Sequence, residues 1–196
     1  MSFSFPAVCI DDFYPNPDEV RKFALSQEFS EYGNYPGQRT RTFHYNELRN
    51  CIQGIVQHAG GNITQFEELE YNGAYQYTTK YDSSWIHTDH NTMWAGVCYL
   101  TPDAPLNSGT ALYRHKETGL CGTARHADGS YDTETMDQIY QDSRDMSKWD
   151  IIDTVANRFN RLVLYRGDLF HSSMEYFGEN KETGRLFQTF FFNTEY

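Results

Sequence analysis

Apolar positions near the start of the chain recur at helical spacing, and after about residue 65 they recur at strand spacing. Residues 7–11 (Ala-Val-Cys-Ile-Asp) read as a strand. Asn16-Pro17-Asp18-Glu19 then supplies a helix start: Asn as N-cap, Pro at the first helical position, acids in the first turn. Val20, Phe23, Ala24 and Gln27 fall on one face of that helix. Leu48, Ile52, Ile55 and Val56 mark a second helix over residues 46–59, stopped by Gly60-Gly61. Over residues 66–81 aromatics alternate with polar residues, which predicts strands. Further strand-sized runs cover residues 93–100, 110–114, 161–165 and 186–192. Short runs with polar turns and no interleaved long helices predict an antiparallel barrel or sandwich. The polar, acidic stretch 116–158, with a short helix near 134–141, reads as a long insertion, either a lid or binding loop or a solvated decoration.

Composition narrows the function classes. At 196 residues, 39% hydrophobic and 16% aromatic, the chain can bury a real core. A formal net charge of −11 repels a phosphate backbone, which excludes nucleic-acid docking through general charge. The apolar runs are too short for membrane spans, and Met1-Ser-Phe-Ser-Phe-Pro lacks the pattern of a secretory signal, so the cytoplasm is the expected compartment. Cys9, Cys51, Cys98 and Cys121 show no Cys-x-x-Cys spacing and are expected to be reduced, mostly packing thiols.

The chemistry begins at Trp85-Ile-His87-Thr-Asp89-His90-Asn91. On an extended chain His87 and Asp89 share a face, so an imidazole and a carboxylate can reach one metal ion together. Three His-x-acid pairs occur: His87-Asp89, His115-Glu117 and His126-Asp128. Chance alone predicts roughly one such pair, so context must select. Only His87-Asp89 lies between strand-like runs, whereas the other two enter or sit within the insertion. His171, which opens an extended segment after Arg166-Gly167-Asp168, supplies a third ligand. Two His and one carboxylate on one side of a metal leave positions open for water, co-substrate and dioxygen. His90 alternates away and reads as a residue behind the ligands or on the surface.

The order His-x-Asp, strands, distal His, then an Arg opening an aromatic strand resembles the 2-oxoglutarate/iron(II) dioxygenases. The prolyl-hydroxylase-like branch is nearest, and the likeness spans residues 70–193. It implies a mainly β fold with N-terminal helices, a double-stranded β-helix of the jelly-roll, cupin-like kind. Residues 1–196 would form one oxygenase domain, with 1–64 as strand and buttressing helices and 65–196 as the core. It implies Fe(II) on His87, Asp89 and His171, and 2-oxoglutarate and dioxygen as co-substrates. Arg185, in Gly184-Arg-Leu-Phe-Gln-Thr189, would pair with the far carboxylate of 2-oxoglutarate; Arg161 and Lys80 are reserve candidates. Thr189, Tyr99 and Tyr77 fall on positions that can contact the co-substrate, and Trp85, Arg114 and His115 on positions that can face substrate. The implied reaction couples decarboxylation of 2-oxoglutarate to hydroxylation of a peptide or small molecule. Two alternatives stay open: a cupin-like metal enzyme without 2-oxoglutarate, and a non-catalytic β-barrel binding module. Oligomeric state is not legible.

Overall fold

The computed structural model describes residues 6–43 and 45–195. Residues 1–5, which carried the expectation about compartment, lie outside that range. None of the described helices is long and apolar enough to cross a membrane. In chain order the elements are β1 (Ala7–Ile10), α1 (Pro17–Ser26), β2 (Gln38–Arg39), α2 (Asn46–Val56), β3 (Asn62–Gln65), β4 (Tyr75–Thr78) and β5 (Trp94–Tyr99). There follow β6 (Thr110–His115), α3 (Thr133–Gln141), β7 (Trp149–Val155), β8 (Leu162–Arg166), β9 (His171–Ser173) and β10 (Arg185–Glu195).

Two antiparallel sheets face each other. The larger has the order β1-β8-β5-β10-β4-β2, with β3 also paired to β10, and the smaller has the order β7-β6-β9. The side-chain period of two sorts each central strand between two cores. On β5, Trp94 and Cys98 pack outward beneath the helices, whereas Ala95, Val97 and Tyr99 point between the sheets. On β10, Leu186, Phe190 and Phe192 join the helix side. Arg185, Phe187, Thr189 and Phe191 face the space between the sheets. Burial on both faces explains why these strands read as near-continuous apolar runs.

The N-terminal helices buttress the outer face of the large sheet. Leu48, Ile52 and Val56, four residues apart, are buried there with Ala24 of α1. Asn16 does stand at the N-cap of α1, but its side chain makes no capping bond; Pro17 and the first-turn acids Asp18 and Glu19 carry the start. A third core lies behind the small sheet, where Met136 and Ile139 of α3 pack with Trp149, Phe170, Tyr113 and Ile86.

Three sequence expectations are corrected. Residues 66–81 are not strand throughout: only Tyr75–Thr78 pairs. The buried Asn72 side chain donates to the Phe66 carbonyl (2.7 Å) and accepts from the Phe191 amide (3.0 Å), which holds residues 66–72 as a turn. Tyr71 sits at φ 63°, incompatible with a strand. Secondly, 116–158 is not a loose insertion. Its last part, β7, is a strand of the small sheet paired along β6, with an exposed outer face that reads as polar. The expected short helix is present as α3, started by Asp132, whose carboxylate accepts from the Thr135 amide at 3.0 Å. Thirdly, the four cysteines are free as expected, but only Cys98 is fully buried, and Cys9 and Cys51 are exposed.

Candidate metal centre

Strand β9 and the segment before β5 bring the ligands together. His87 and His171 face each other across an antiparallel bridge, their backbones exchanging hydrogen bonds of 3.1 and 2.9 Å. Residues directly opposite in such a pair project to the same side. Asp89, two residues on, keeps the face of His87 before the chain turns. The donor atoms of His87, Asp89 and His171 all lie within 4.8 Å of one another. His171 Nε2 is 3.2 Å from Asp89 Oδ2, and His87 Nε2 is 4.0 Å from Asp89 Oδ1.

Both imidazoles are oriented by the same device. His87 Nδ1 lies 2.9 Å from the Trp85 carbonyl, and His171 Nδ1 lies 2.9 Å from the Leu169 carbonyl. A carbonyl only accepts, so each Nδ1 carries a proton and each ring turns its Nε2 inward. These are the orienting partners that ligand histidines need. Being backbone groups, they leave no trace in the sequence. Burial, reinforced by His171, pushes the His87 pKa down to about 4, so the ring is neutral at ordinary pH. Burial pushes Asp89 upward, but the His171 hydrogen bond and the nearby His171, His87 and Arg39 outweigh it and hold the carboxyl below its usual range. Two imidazole Nε2 atoms and a carboxylate thus converge on one point, a donor set that can hold a cation.

The triad opens on a cavity of about 930 Å³ between the sheets. Arg185 lines it and is only 1% exposed. Its Nε donates to the Ser108 carbonyl (2.9 Å), and its guanidinium lies over the rings of Phe187 (4.4 Å) and Tyr99 (5.2 Å). No carboxylate pairs with it among the described residues. The buried Thr78 Oγ1 has no hydrogen-bond partner among the described residues. Thr78 stands directly opposite Arg185 in the β4–β10 register. Arg185 and Ser84, both in the cavity wall, act on the Tyr176 phenol, which burial holds in its neutral, donating form.

The remaining sequence candidates divide. Tyr99 is fully buried on the inner face, bonded to Thr110 Oγ1 (2.8 Å) and packed near Arg185. Thr189 lines the cavity on the face of Arg185, but its hydroxyl reaches the Tyr71 and Ala74 carbonyls (2.7 and 3.1 Å), so its proton is committed to holding the 71–74 turn. Tyr77 alternates to the opposite face, where its hydroxyl bonds Gln38 (2.8 Å) and its ring meets Phe29. Trp85 lines the cavity. Arg114 does not; it pairs with Asp150 on the surface at 2.6 Å. His115 is buried behind the small sheet, bonded to Asp142 and Thr118 and packed on Trp149. Arg161 pairs with Asp11 (2.6 Å) and Lys80 with Glu179 (2.5 Å), which removes both as reserve anchors. His90 stacks on Tyr131 at the cavity wall.

Sequence reading missed Arg39, Gln76 and Tyr165, all in the cavity wall. Tyr165 packs its ring 4.5 Å from that of His171. Gln76 and Thr78 share the inner face of β4, a face that the alternation around Tyr77 marks once the register to Arg185 is known. Arg39 lies on a two-residue strand that carries no periodic signal at all.

Several solved structures share this architecture. HygX from Streptomyces hygroscopicus, with nickel and 2-oxoglutarate bound, aligns at TM-score 0.62 and 10% identity, covering 98% of this chain and 84% of that one. SnoN, a non-heme alpha-ketoglutarate-dependent epimerase from nogalamycin biosynthesis, aligns at 0.57 and 13% identity, covering 94% and 76%. A prolyl hydroxylase from Trichoplax adhaerens, in complex with a hypoxia inducible factor peptide fragment, aligns at 0.52 and 12%, covering 95% and 83%. The expected fold, that of the 2-oxoglutarate oxygenases, is therefore the fold found. No curated protein matches the chain. The model of DUF6445, a family of unknown function, matches residues 4–192, and the chain belongs to that family.

Proposed function

We propose that this protein is a non-haem iron(II), 2-oxoglutarate-dependent oxygenase that hydroxylates a small molecule or a peptide, with residues 1–196 working as one domain. The observation that carries this reading is the joint presence, in one cavity, of the His87-Asp89-His171 cluster and the buried, carboxylate-free Arg185.

The residues fit the groups this reading requires. The donor set, two imidazole nitrogens and one carboxylate with open space beside them, suits iron(II) rather than a closed structural zinc site. An unpaired buried guanidinium is costly, and a ligand carboxylate offsets that cost. The planar fork of Arg185 suits such a group. Iron with 2-oxoglutarate would supply the oxidising chemistry. The chain's own part is to fix the Nε2 lone pairs through the Trp85 and Leu169 carbonyls, hold Asp89 ionised, and anchor the co-substrate. Val97, Phe187 and Tyr165 form the apolar part of the cavity wall. The cupin-like alternative, using metal alone, gives no role to Arg185. A binding module has no use for a cation site and a carboxylate anchor together. Cytoplasmic location is part of this reading, supported by the four free cysteines.

HygX has been crystallised with hygromycin B bound, and the Trichoplax enzyme is in complex with a peptide fragment, so proteins of this fold hold both kinds of molecule. The test is aerobic incubation with iron(II) and 2-oxoglutarate across substrate panels. Succinate formation that requires iron, disappears in His171→Ala, and accompanies a mass gain of about sixteen on an acceptor supports the reading. Succinate formation unchanged in His171→Ala refutes it.

A further inference from the structure

Arg39 is the other buried arginine of the same cavity, and it does not share Arg185's surroundings. It is 6% exposed. Its guanidinium lies over both Tyr35 (3.7 Å to the ring centroid) and Tyr71 (4.5 Å), whose rings meet edge to face. Nε and Nη2 both donate to one atom, Gln76 Oε1. The Gln76 amide is fixed in turn by donating to the Pro36 carbonyl at 2.6 Å. Arg39 makes no ion pair among the described residues; the Asp89 and Glu70 carboxylates, both in the cavity wall, act on it only from beyond contact distance.

An arginine has five N–H donors. Here two are directed at a neutral amide, and Nη1 has no acceptor among the described residues. The charge is desolvated, stripped of a carboxylate partner, and held rigid by two rings and an amide. A salt-bridged structural arginine would show the opposite pattern: its fork closed on an acid. Side-chain entropy has already been lost, so a planar oxyanion arriving at the free edge gains its hydrogen bonds with little further ordering. The same cavity wall carries His87, Asp89, Tyr71 and Trp85, which places this edge in the chamber of the metal cluster.

We propose that Arg39, clamped by Tyr35, Tyr71 and Gln76, binds a carboxylate of the molecule oxidised in this cavity, so that the substrate is an acid. The inference rests on the oxygenase reading and deepens it: Arg185 takes the co-substrate carboxylate, and Arg39 takes the substrate carboxylate. A net charge of −11 gives an acidic substrate no general attraction to this protein, so its recognition must be built locally.

The test uses the whole chain loaded with nickel(II) and N-oxalylglycine, which fills the co-substrate position without turnover. N-acetyl amino acids, each paired with its C-terminal amide, are titrated by calorimetry. At least one acid is expected to bind about tenfold or more tightly than its amide, the usual scale of a charge-assisted pair. Arg39→Gln should erase that preference and leave N-oxalylglycine affinity within about twofold. Tyr35→Leu, at the cavity rim, keeps the charge and loosens the clamp; it should cut acid binding severalfold with the amide unchanged, and it serves if Arg39→Gln does not fold. No acid preferred in wild type, or a preference surviving in both variants, overturns the proposal. N-oxalylglycine failing to bind wild type overturns the oxygenase reading instead. If Arg39→Gln loses N-oxalylglycine while Arg185→Gln keeps it, the two arginines exchange roles and both assignments fall.

Discussion

His87 and His171, eighty-four positions apart in sequence, exchange two backbone hydrogen bonds of 3.1 and 2.9 Å, and their rings lie 4.5 Å apart. The bridge makes the spacing of two metal donors a property of sheet pairing rather than of flexible side chains. His87→Ala, Asp89→Ala and His171→Ala should each weaken iron(II) or nickel(II) binding by more than about a hundredfold, beyond what the loss of an outer partner costs. Metal titration checks this, and tight binding in all three variants would remove the cluster from consideration.

Asp89 is held by a second backbone approach. Its amide donates to the Gly167 carbonyl at 2.6 Å. A Cβ at position 167 would lie 2.3 Å from the Thr92 carbonyl oxygen and 2.8 Å from that of Asp89, both backbone atoms. Gly167→Ala should therefore push the 89–92 turn away and lower metal affinity about 10–100-fold, although Gly167 is no ligand. Affinity equal to wild type would mean that the turn relaxes freely.

Much of the site was legible in the sequence because ligand chemistry and strand alternation are both local signals. His87-x-Asp89 stood out among three His-x-acid pairs by its strand-like flanks, and Arg185 came from the family resemblance. What escaped depended on register and tertiary contact. Tyr77 was a plausible site tyrosine until pairing with Leu186 put it on the outer face. His115 had the same His-x-acid signature as His87, and only the fold shows it bonded to Asp142 behind the small sheet. The 116–158 stretch read as an insertion because an edge strand with one open face looks like a loop in composition. Arg39 gave no signal, since a two-residue strand has no period.

That stretch should behave as packed structure. Met136 and Ile139 are fully buried in the core behind the small sheet. Met136→Ala should destabilise the protein by about 2–5 kcal/mol, the usual cost of emptying a buried site. Denaturant unfolding measures it; a change below about 0.5 kcal/mol, the range of surface substitutions, would restore the mobile-lid expectation.

The depressed His87 pKa gives a pH dependence of definite sign. Between its ordinary value of 6.5 and about 4, the unfolded chain takes up a proton at this position and the folded chain does not. Proton uptake favours the unfolded state, so this contribution to stability is intact above 6.5 and is lost progressively as pH falls towards 4. Metal-free wild type should lose stability relative to His87→Gln across that window. Parallel curves for the two proteins would show that the ring is not held neutral.

Arg185 separates a 2-oxoglutarate oxygenase from a metal enzyme without 2-oxoglutarate. Under anaerobic conditions, 2-oxoglutarate is titrated into the nickel-loaded or iron-loaded protein and followed by calorimetry. Wild type should bind it, and Arg185→Ala should bind about ten- to a hundredfold more weakly, matching the roughly 1.5–3 kcal/mol of a charge-assisted pair, with metal affinity nearly unchanged. Arg185→Lys should recover part of the loss, keeping the charge without the fork. Absence of 2-oxoglutarate binding to wild type at millimolar concentration would contradict the oxygenase reading and leave the metal-only alternative in its place.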